Sequence, residues 1–509
     1  MDTLRHQKKE GSAVSDRLKF DVKPIAVRSE NLVTSIKATN GNAQSGDGIS
    51  TIIFDIRIPA MSGGYYLDAA STRFSFNLRF TDVSGNATAI DASKYIWLDR
   101  GANSIINRLQ LYDQSGHLLE DLQNYHLLFG MEKVCTGHAD VQRFRNNFFK
   151  ETRSWDSGAQ ANASSQFQAS SVTVANVLTS FTSLPPLVRS DPSSGGALFL
   201  KPADAGAGTT NAFNTDLGEG LVANSLLTDI PLTLTFHSSV FGGGSDKYFP
   251  LSALNGFRIV ITLNTANNAF QIDTGATIGH TMYYQVNNPT LYTNLIRVDP
   301  AVDRGIIDSA KGTDGRIRIH TQSWRTYQVT VLPAETSKNV VVPISVSSLK
   351  ALYFAHTNPT PNEYHSSSGF YKRFLNQYQL FIGSVAIPTT PVICTGTQIE
   401  PLSELLRAWH VRLNDQDFST LLHPQFCLDE YATATVGNYR SNYLYGVELE
   451  SFSLKDDVIE SGSNVLNNNV ELRLTYSQAA AMTYNLMFFA LYDCFLVIDP
   501  ETGITTIEF

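Results

Sequence analysis

Asp229 to Asn264, DIPLTLTFHSSVFGGGSDKYFPLSALNGFRIVITLN, decides the fold. Leu232, Leu234 and Phe236 alternate with Thr233 and Thr235, and Phe257, Ile259 and Ile261 alternate with Arg258, Val260 and Thr262. A period of two means a strand with one buried face, so both runs are strands. Between them, Phe241-Gly242-Gly243-Gly244 removes side chains where the backbone turns, and Tyr248-Phe249-Pro250-Leu251 restarts an apolar anchor. The same grammar returns at Tyr443 to Tyr476, where YLYGVELESFSL, the polar KDDVIESGSNVLNNN and VELRLTY follow one another. Two copies of one strand-loop-strand unit predict two similar β domains.

Other strands read outward from there. Thr51 to Ile58 and Arg73 to Phe80 alternate, and Ile105 to Tyr112 is a further candidate. His117 to Val134 returns Leu118, Leu119, Leu122, Tyr125, His126 and Phe129 at helical spacing, which predicts one helix. The second half begins with RIRIHTQSWRTYQVTVL, VVVPISVSSLKALYFAH and YKRFLNQYQLFIGSVAI. A Pro-led helix from Pro401 to Leu413 follows, with Leu402, Leu405, Leu406, Trp409 and Leu413 in one stripe. Strands, one amphipathic helix, then the strand-loop-strand unit thus occur in both halves, as a duplication would give.

The predicted organisation is an arm over 1–48, a first β domain over 49–298, a linker over 299–314, a second β domain over 315–500 and a tail over 501–509. Within the first domain, about 156–220 is rich in Ala, Ser, Gly and Thr and reads as a loop insertion. Asp299 to Lys311, with Pro300 near its start and Gly312 after it, reads as the linker helix. Many short strands with few helices fit a β-sandwich or jelly roll better than βαβ units.

Composition narrows the function. The 509 residues are 42% hydrophobic and only 17% charged, so the chain can fill a large core and its surface suits burial against other copies. A net charge of −9 gives no basic field for nucleic acid, and residues 1–50 carry a net of only +2, from eight Lys and Arg against six acids. Cys135, Cys394, Cys427 and Cys494 lie far apart without a CxxC pair and are expected as buried free thiols in a reducing compartment. Neither a signal peptide nor an apolar run long enough to span a membrane is present, so the acceptor sequons at Asn86 and Asn162 carry little weight.

No catalytic, cofactor-binding or metal-ligating residue is assigned. His117 and His126 stand nine apart without carboxylate companions, and Asp299, Asp303 and Asp308 do not match a calcium loop and read as solvated helix charges. Asp456 and Asp457 are adjacent in a polar loop, and Glu448 and Glu450 fit an alternating solvent face, so neither pair meets the needs of a glycosidase. Gly242 to Gly244 precede a strand rather than a helix, which argues against a phosphate cradle, and no GxSxG, HExxH or P-loop occurs.

Four stretches carry a resemblance: SSVFGGGSDKYFPLSALNGFRIVITL, VPISVSSLKALYF, NQYQLFIGSVAIPTTPV, and YGVELESFSLKDDVIESGSNVLNNNVELRLTY with LYDCFLVID. In their order and spacing, over most of residues 50 to 500, the chain resembles the double jelly-roll major capsid proteins of double-stranded DNA viruses, such as Polinton-like viruses, virophages and the adenovirus-hexon lineage. That resemblance implies an all-β chain of two tandem eight-stranded antiparallel jelly rolls with short connecting helices. It implies pseudo-hexagonal homotrimeric capsomers that tile an icosahedral shell around a double-stranded DNA genome. The partners implied are copies of the chain itself, penton and minor capsid proteins, without sequence-specific nucleic acid binding, and the implied place is the virion, after synthesis in the host cytoplasm or nucleus. The insertion at 156–220 would form outer towers, and arm and tail would tie capsomers together from inside. The alternative is a jelly-roll carbohydrate-binding or fibre protein, which would show aromatic-rich binding loops and shaft repeats.

Overall fold

A computed structural model describes residues 29–57, 64–81, 95–98, 102–135, 230–241, 247–254, 256–273, 283–357, 370–371, 373–395, 399–409, 443–451, 461–480 and 482–509. In the first half the strands are β1 (Ser29–Lys37), β2 (Ala43–Ser45), β3 (Thr51–Ile56), β4 (Tyr65–Thr81), β5 (Tyr95–Leu98), β6 (Ile106–Asp113) and β7 (Leu118–Gln123). Helix α1 (Tyr125–Cys135) follows, then β8 (Ile230–Thr235), β9 (Phe249–Pro250), β10 (Phe257–Leu263), β11 (Phe270–Asp273) and β12 (Tyr283–Val298). Helix α2 (Pro300–Ala310) leads to β13 (Ile317–Val331), β14 (Ser337–Val342), β15 (Leu349–Thr357), β16 (Leu375–Ile382) and β17 (Val385–Ile393). Helix α3 (Ile399–Ala408), β18 (Tyr445–Glu448), β19 (Val470–Tyr476), β20 (Tyr484–Ile498) and β21 (Thr505–Glu508) complete the chain.

Each half forms two antiparallel sheets. The first half has β1-β12-β4-β8, extended by β2 and β9, facing β3-β10-β6-β7; β5 and β11 make a separate ladder. The second half has β13-β20-β15-β18, extended by β21, facing β14-β19-β16-β17. Counting only the eight strands common to both halves, each sandwich pairs its first, eighth, third and sixth strands in one sheet and its second, seventh, fourth and fifth in the other. That wrapped order is the jelly roll. In both rolls the helix, α1 or α3, lies in the connection from fifth to sixth strand, as the duplicated order predicts.

Period-two burial builds the sandwiches. Phe257, Ile259, Ile261 and Leu263 of β10 are buried, and Ile259 sits in register between Phe54 of β3 and Leu111 of β6. Phe74 joins the two sheets of the first roll, its ring 5.6 Å from Phe54 and 6.1 Å from Phe236. In the second roll Phe354 stacks on Tyr445 at 5.1 Å and meets Tyr378 edge-on at 5.0 Å. The second roll has a core of its own around Phe354, Tyr378 and Leu472, while the first roll's apolar cluster runs on across the seam into Ile317, Ile319, Trp324, Tyr353, Met487 and Phe489 of the second.

Three boundaries differ from the sequence reading. Ser29–Lys37 is not arm but the first strand of the first roll, in register with β12 from Ser29 opposite Val298 to Lys37 opposite Thr290. The apolar side chains of this edge strand stay largely exposed, so it carries no one-sided burial signal. The helix expected over His117 to Val134 is a strand and then a helix, broken where Asn124 adopts φ 49. The tail contains β21, paired with β20 from Thr505 opposite Ile498 to Glu508 opposite Phe495. Residues 1–28 and the insertion at 156–220 lie outside the described residues.

Two local repeats mark the duplication. The eighth strands end in Val298-Asp299-Pro300 and Ile498-Asp499-Pro500, and both aspartates accept a hydrogen bond from the amide two residues on, Ala301 at 2.8 Å and Glu501 at 3.0 Å. The fourth strands read INRLQLYD (106–113) and LNQYQLFI (375–382).

Candidate association surfaces

Strand β7 seats a carboxylate in the seam between the rolls. Its neighbours Leu119 and Leu122 enter the apolar core, and Glu120 between them is also buried, beneath the second roll. The Ser239 amide donates to both Glu120 oxygens, at 2.9 and 3.0 Å, and the Ser323 hydroxyl of β13 donates to Oε1. Burial pushes the Glu120 carboxyl above its ordinary range, and the Ser323 and Ser239 hydrogen bonds oppose that push. Around it, the Thr321 hydroxyl donates to the Ser239 carbonyl, and Thr326 Oγ1 donates to the Gln123 carbonyl at 2.7 Å. At the seam's far end buried Asp113 accepts from the amides of His117, at 2.7 Å, and Thr505, at 3.3 Å. The first roll is therefore held to β13 and β21 by polar bonds as well as apolar contact.

A second buried network lies in the second roll. Lys350 Nζ stands 3.1 Å from Glu450 Oε1 and 3.9 Å from Asp493 Oδ1, His320 Nε2 is 3.1 Å from Asp493 Oδ1, and Ser348 donates to Asp493 Oδ2 at 2.6 Å. Ser, His and Asp together suggest a hydrolytic triad, but the connectivity is wrong. Ser348 and His320 each bind Asp493 separately, so the hydroxyl proton points at a carboxylate and not at a base. Ser348 Oγ also accepts the Gly462 amide at 3.0 Å, tying the loop after 460 to the sheet. The network organises backbone.

The candidates raised from sequence have structural partners. Glu448 pairs with Arg407 of α3 at 3.3 Å and Glu450 with Lys350, so neither lines an open solvent face. Asp299 caps α2 and Asp308 pairs with Lys311 at 3.0 Å. Asp303 corrects the solvated-charge expectation: it is buried and accepts from Tyr66 at 2.8 Å and Ser252 at 3.4 Å, pinning α2 to the first roll. His117 Nδ1 is 3.0 Å from Asp113, whereas His126 is buried in α1. Cys394 and Cys494 are buried thiols outside any disulfide. Gly242 to Gly244, Cys427, Asp456 and Asp457 lie outside the described residues, as does the side chain of Cys135. Among the described residues no three His, Cys, Asp or Glu gather as metal ligands, and no helix is long and apolar enough to cross a membrane.

Among the described residues, two strands at sheet edges carry exposed apolar side chains. Leu32 and Val33 of β1 are 46% and 61% exposed, and Val385 and Ile393 of β17 are 60% and 40% exposed. β1 pairs only with β12 and β17 only with β16 among the described residues, so each closes its sheet with an open edge. Such edges invite pairing with another chain. The seam residues and these edges escaped the sequence reading; the repeated Asp-Pro after each eighth strand could have aligned the halves and pointed to them.

No protein-family model matches the sequence, and no curated protein matches it either. Solved structures do match in fold. A chain of the Sputnik virophage superposes with a TM-score of 0.56 at 12% identity, covering 97% of this chain and 92% of that chain. The Faustovirus major capsid protein gives 0.52 at 9% identity, over 96% and 93% of the two chains, and PBCV-1 Vp54, fitted into a reconstruction of Sputnik, gives 0.50 at 9%, over 96% and 100%. The chain therefore has the double jelly-roll fold, shared over nearly its whole length with a viral major capsid protein.

Proposed function

We propose that this chain is the major capsid protein of an icosahedral double-stranded DNA virus, a structural and not an enzymatic component of the virion. The observation that carries this reading is the fusion of two complete jelly rolls, in the same strand order, into one block through an apolar cluster that crosses between them and the buried Glu120 seam. A block of two like rolls supplies two of six roughly equivalent units, so three copies close a pseudo-hexagonal ring that can tile a facet. The surface suits such tiling, because charges are few and desolvating unpaired charges is what makes extensive contacts between copies costly. Penton and minor capsid proteins would complete the shell, and the segments outside the described residues, 1–28 and the 156–220 insertion, are candidates for inner ties and outer towers. Electron microscopy of the purified protein tests the reading. Particles with a hexagonal outline support it, and isolated two-lobed monomers at all concentrations contradict it.

A further inference from the structure

The seam inside one chain specifies the contact between chains. Within the chain, the first strand of the second roll, β13, lies against the fifth strand of the first roll, β7, through Ser323 with Glu120 and Thr326 with Gln123. The corresponding strands on the opposite flanks are β1, the first strand of the first roll, and β17, the fifth strand of the second. Both are sheet edges with exposed apolar side chains and no partner strand beyond their own sheet among the described residues. We propose that β1 of one copy packs against β17 of the next, repeating between chains the β13–β7 seam within each chain. This proposal rests on the capsomer reading and adds to it the residues and the polarity of the contact.

Register makes the correspondence specific. Ser29 faces Val298 and Ile317 faces Ile498, the residues just before the repeated Asp-Pro, so Val33 corresponds to Thr321 and Ser35 to Ser323. On the other side, Gln123 faces Arg108 and Ile393 faces Gln377, while Glu120 faces Leu111 and Ile387 faces Leu380. Because INRLQLYD aligns with LNQYQLFI, Ile393 corresponds to Gln123 and Ile387 to Glu120. Where the internal seam holds Ser323 against Glu120, the contact between copies holds Ser35 against Ile387.

Its chemistry accordingly shifts from polar to apolar. Val385–Ile393, VAIPTTPVI, contains no charged residue, and in β1 only Glu30 and Lys37, near the two ends, are charged. Glu30 already lies 3.5 Å from Arg297 of its own roll. An uncharged centre with charges at the margin is the distribution found at contacts between proteins. The contact is head-to-tail, so it either closes a ring or propagates. Three copies bring six rolls and six such seams, three internal and three between copies, which closes the ring.

Cross-linking in the full-length chain tests this. Ser35→Cys together with Ile387→Cys, treated with a short bismaleimide, should give covalent trimers on denaturing gels, whereas either single variant should not, because a head-to-tail contact does not bring a residue against its own copy. Gln123→Cys with Thr326→Cys, at the solvent-facing part of the internal seam, is the control for linker reach and should link within the monomer. Val33→Asp or Ile393→Asp, both on exposed positions that leave the fold intact, should weaken trimer association on the order of tenfold or more, while Val341→Asp on exposed β14 should leave trimers unchanged. Wild-type trimers with no interchain product and intact Val33→Asp trimers overturn this contact and leave the capsomer reading standing. Cross-linking by a single variant overturns the head-to-tail polarity. A monomeric wild type defeats the capsomer reading itself.

Discussion

Ser323, in the first strand of the second roll, donates its hydroxyl proton to Glu120, in the fifth strand of the first roll, 203 residues away in sequence. A buried carboxylate is costly unless its oxygens are satisfied, and here the Ser239 amide satisfies them from a third segment. One side chain thus ties three segments and two rolls.

Removing that side chain should loosen the seam. Glu120→Ala leaves the Ser239 amide and the Ser323 hydroxyl buried without their acceptor, at a cost of about 2–4 kcal/mol, read as a lower urea midpoint. The sign with pH follows from the upward shift. The folded carboxyl binds its proton more tightly than the unfolded one, so this group's contribution is fully present below its ordinary value of 4.5 and is lost as pH rises through the folded value. Glu120→Ala should abolish that component of the pH profile.

The boundary of the first roll predicts a contrast between two truncations. Deleting residues 1–28 leaves every described strand in place, and the protein should keep its melting temperature. Deleting 1–48 also removes β1 and β2, strips β12 along twelve paired positions, nine against β1 and three against β2, and uncovers Leu291 and Leu295, so it should yield insoluble protein. Differential scanning fluorimetry with a solubility assay separates the two outcomes.

The strands that sequence revealed are those whose two faces meet different surroundings, such as β10 and β19. β15 is buried on every residue, so LKALYFAHT shows no alternation and is legible as a strand only through its apolar and aromatic content. β1 escapes the sequence reading, since almost nothing of it is buried within one chain. Leu118, Leu119, Leu122 and Tyr125 satisfy a helix period, and only the left-handed backbone at Asn124 breaks the run. Glu120 could not be found at all: a Glu among leucines reads as a solvent position until Ser239 and Ser323 are brought to it. The expectation that Glu448 and Glu450 face solvent failed likewise, because Arg407 and Lys350 arrive from other elements.

Acid should weaken the second roll through His356. Its ring is fully buried, with Nε2 2.9 Å from Tyr476 Oη and Tyr484 edge-on at 6.5 Å, and the buried Arg373 guanidinium lies over Tyr476 at 4.1 Å. Desolvation first, and the Arg373 charge second, pull its pKa down to about 3. Between that value and the ordinary 6.5 the unfolded chain takes a proton that the folded chain refuses, so stability falls as pH drops through this window. At pH 5 the loss is on the order of 2 kcal/mol. His356→Gln should flatten the denaturation profile across the window, and an unchanged slope would contradict the assignment.

Burial, with Glu120 and Asp493 nearby, raises the Cys494 thiol far above its ordinary value, so it holds its proton at neutral pH. Iodoacetamide should leave Cys494 and buried Cys394 unmodified in the native protein and modify both in urea, as peptide mass mapping would show. Rapid native labelling of Cys494 would contradict its place in the core.

Size-exclusion chromatography with light scattering on the purified full-length chain tests the central claim most directly. A single species of three times the 56.0 kDa chain mass is the expected result. A stable monomer that persists as concentration rises would contradict a protein whose flanks are built to meet further copies of itself.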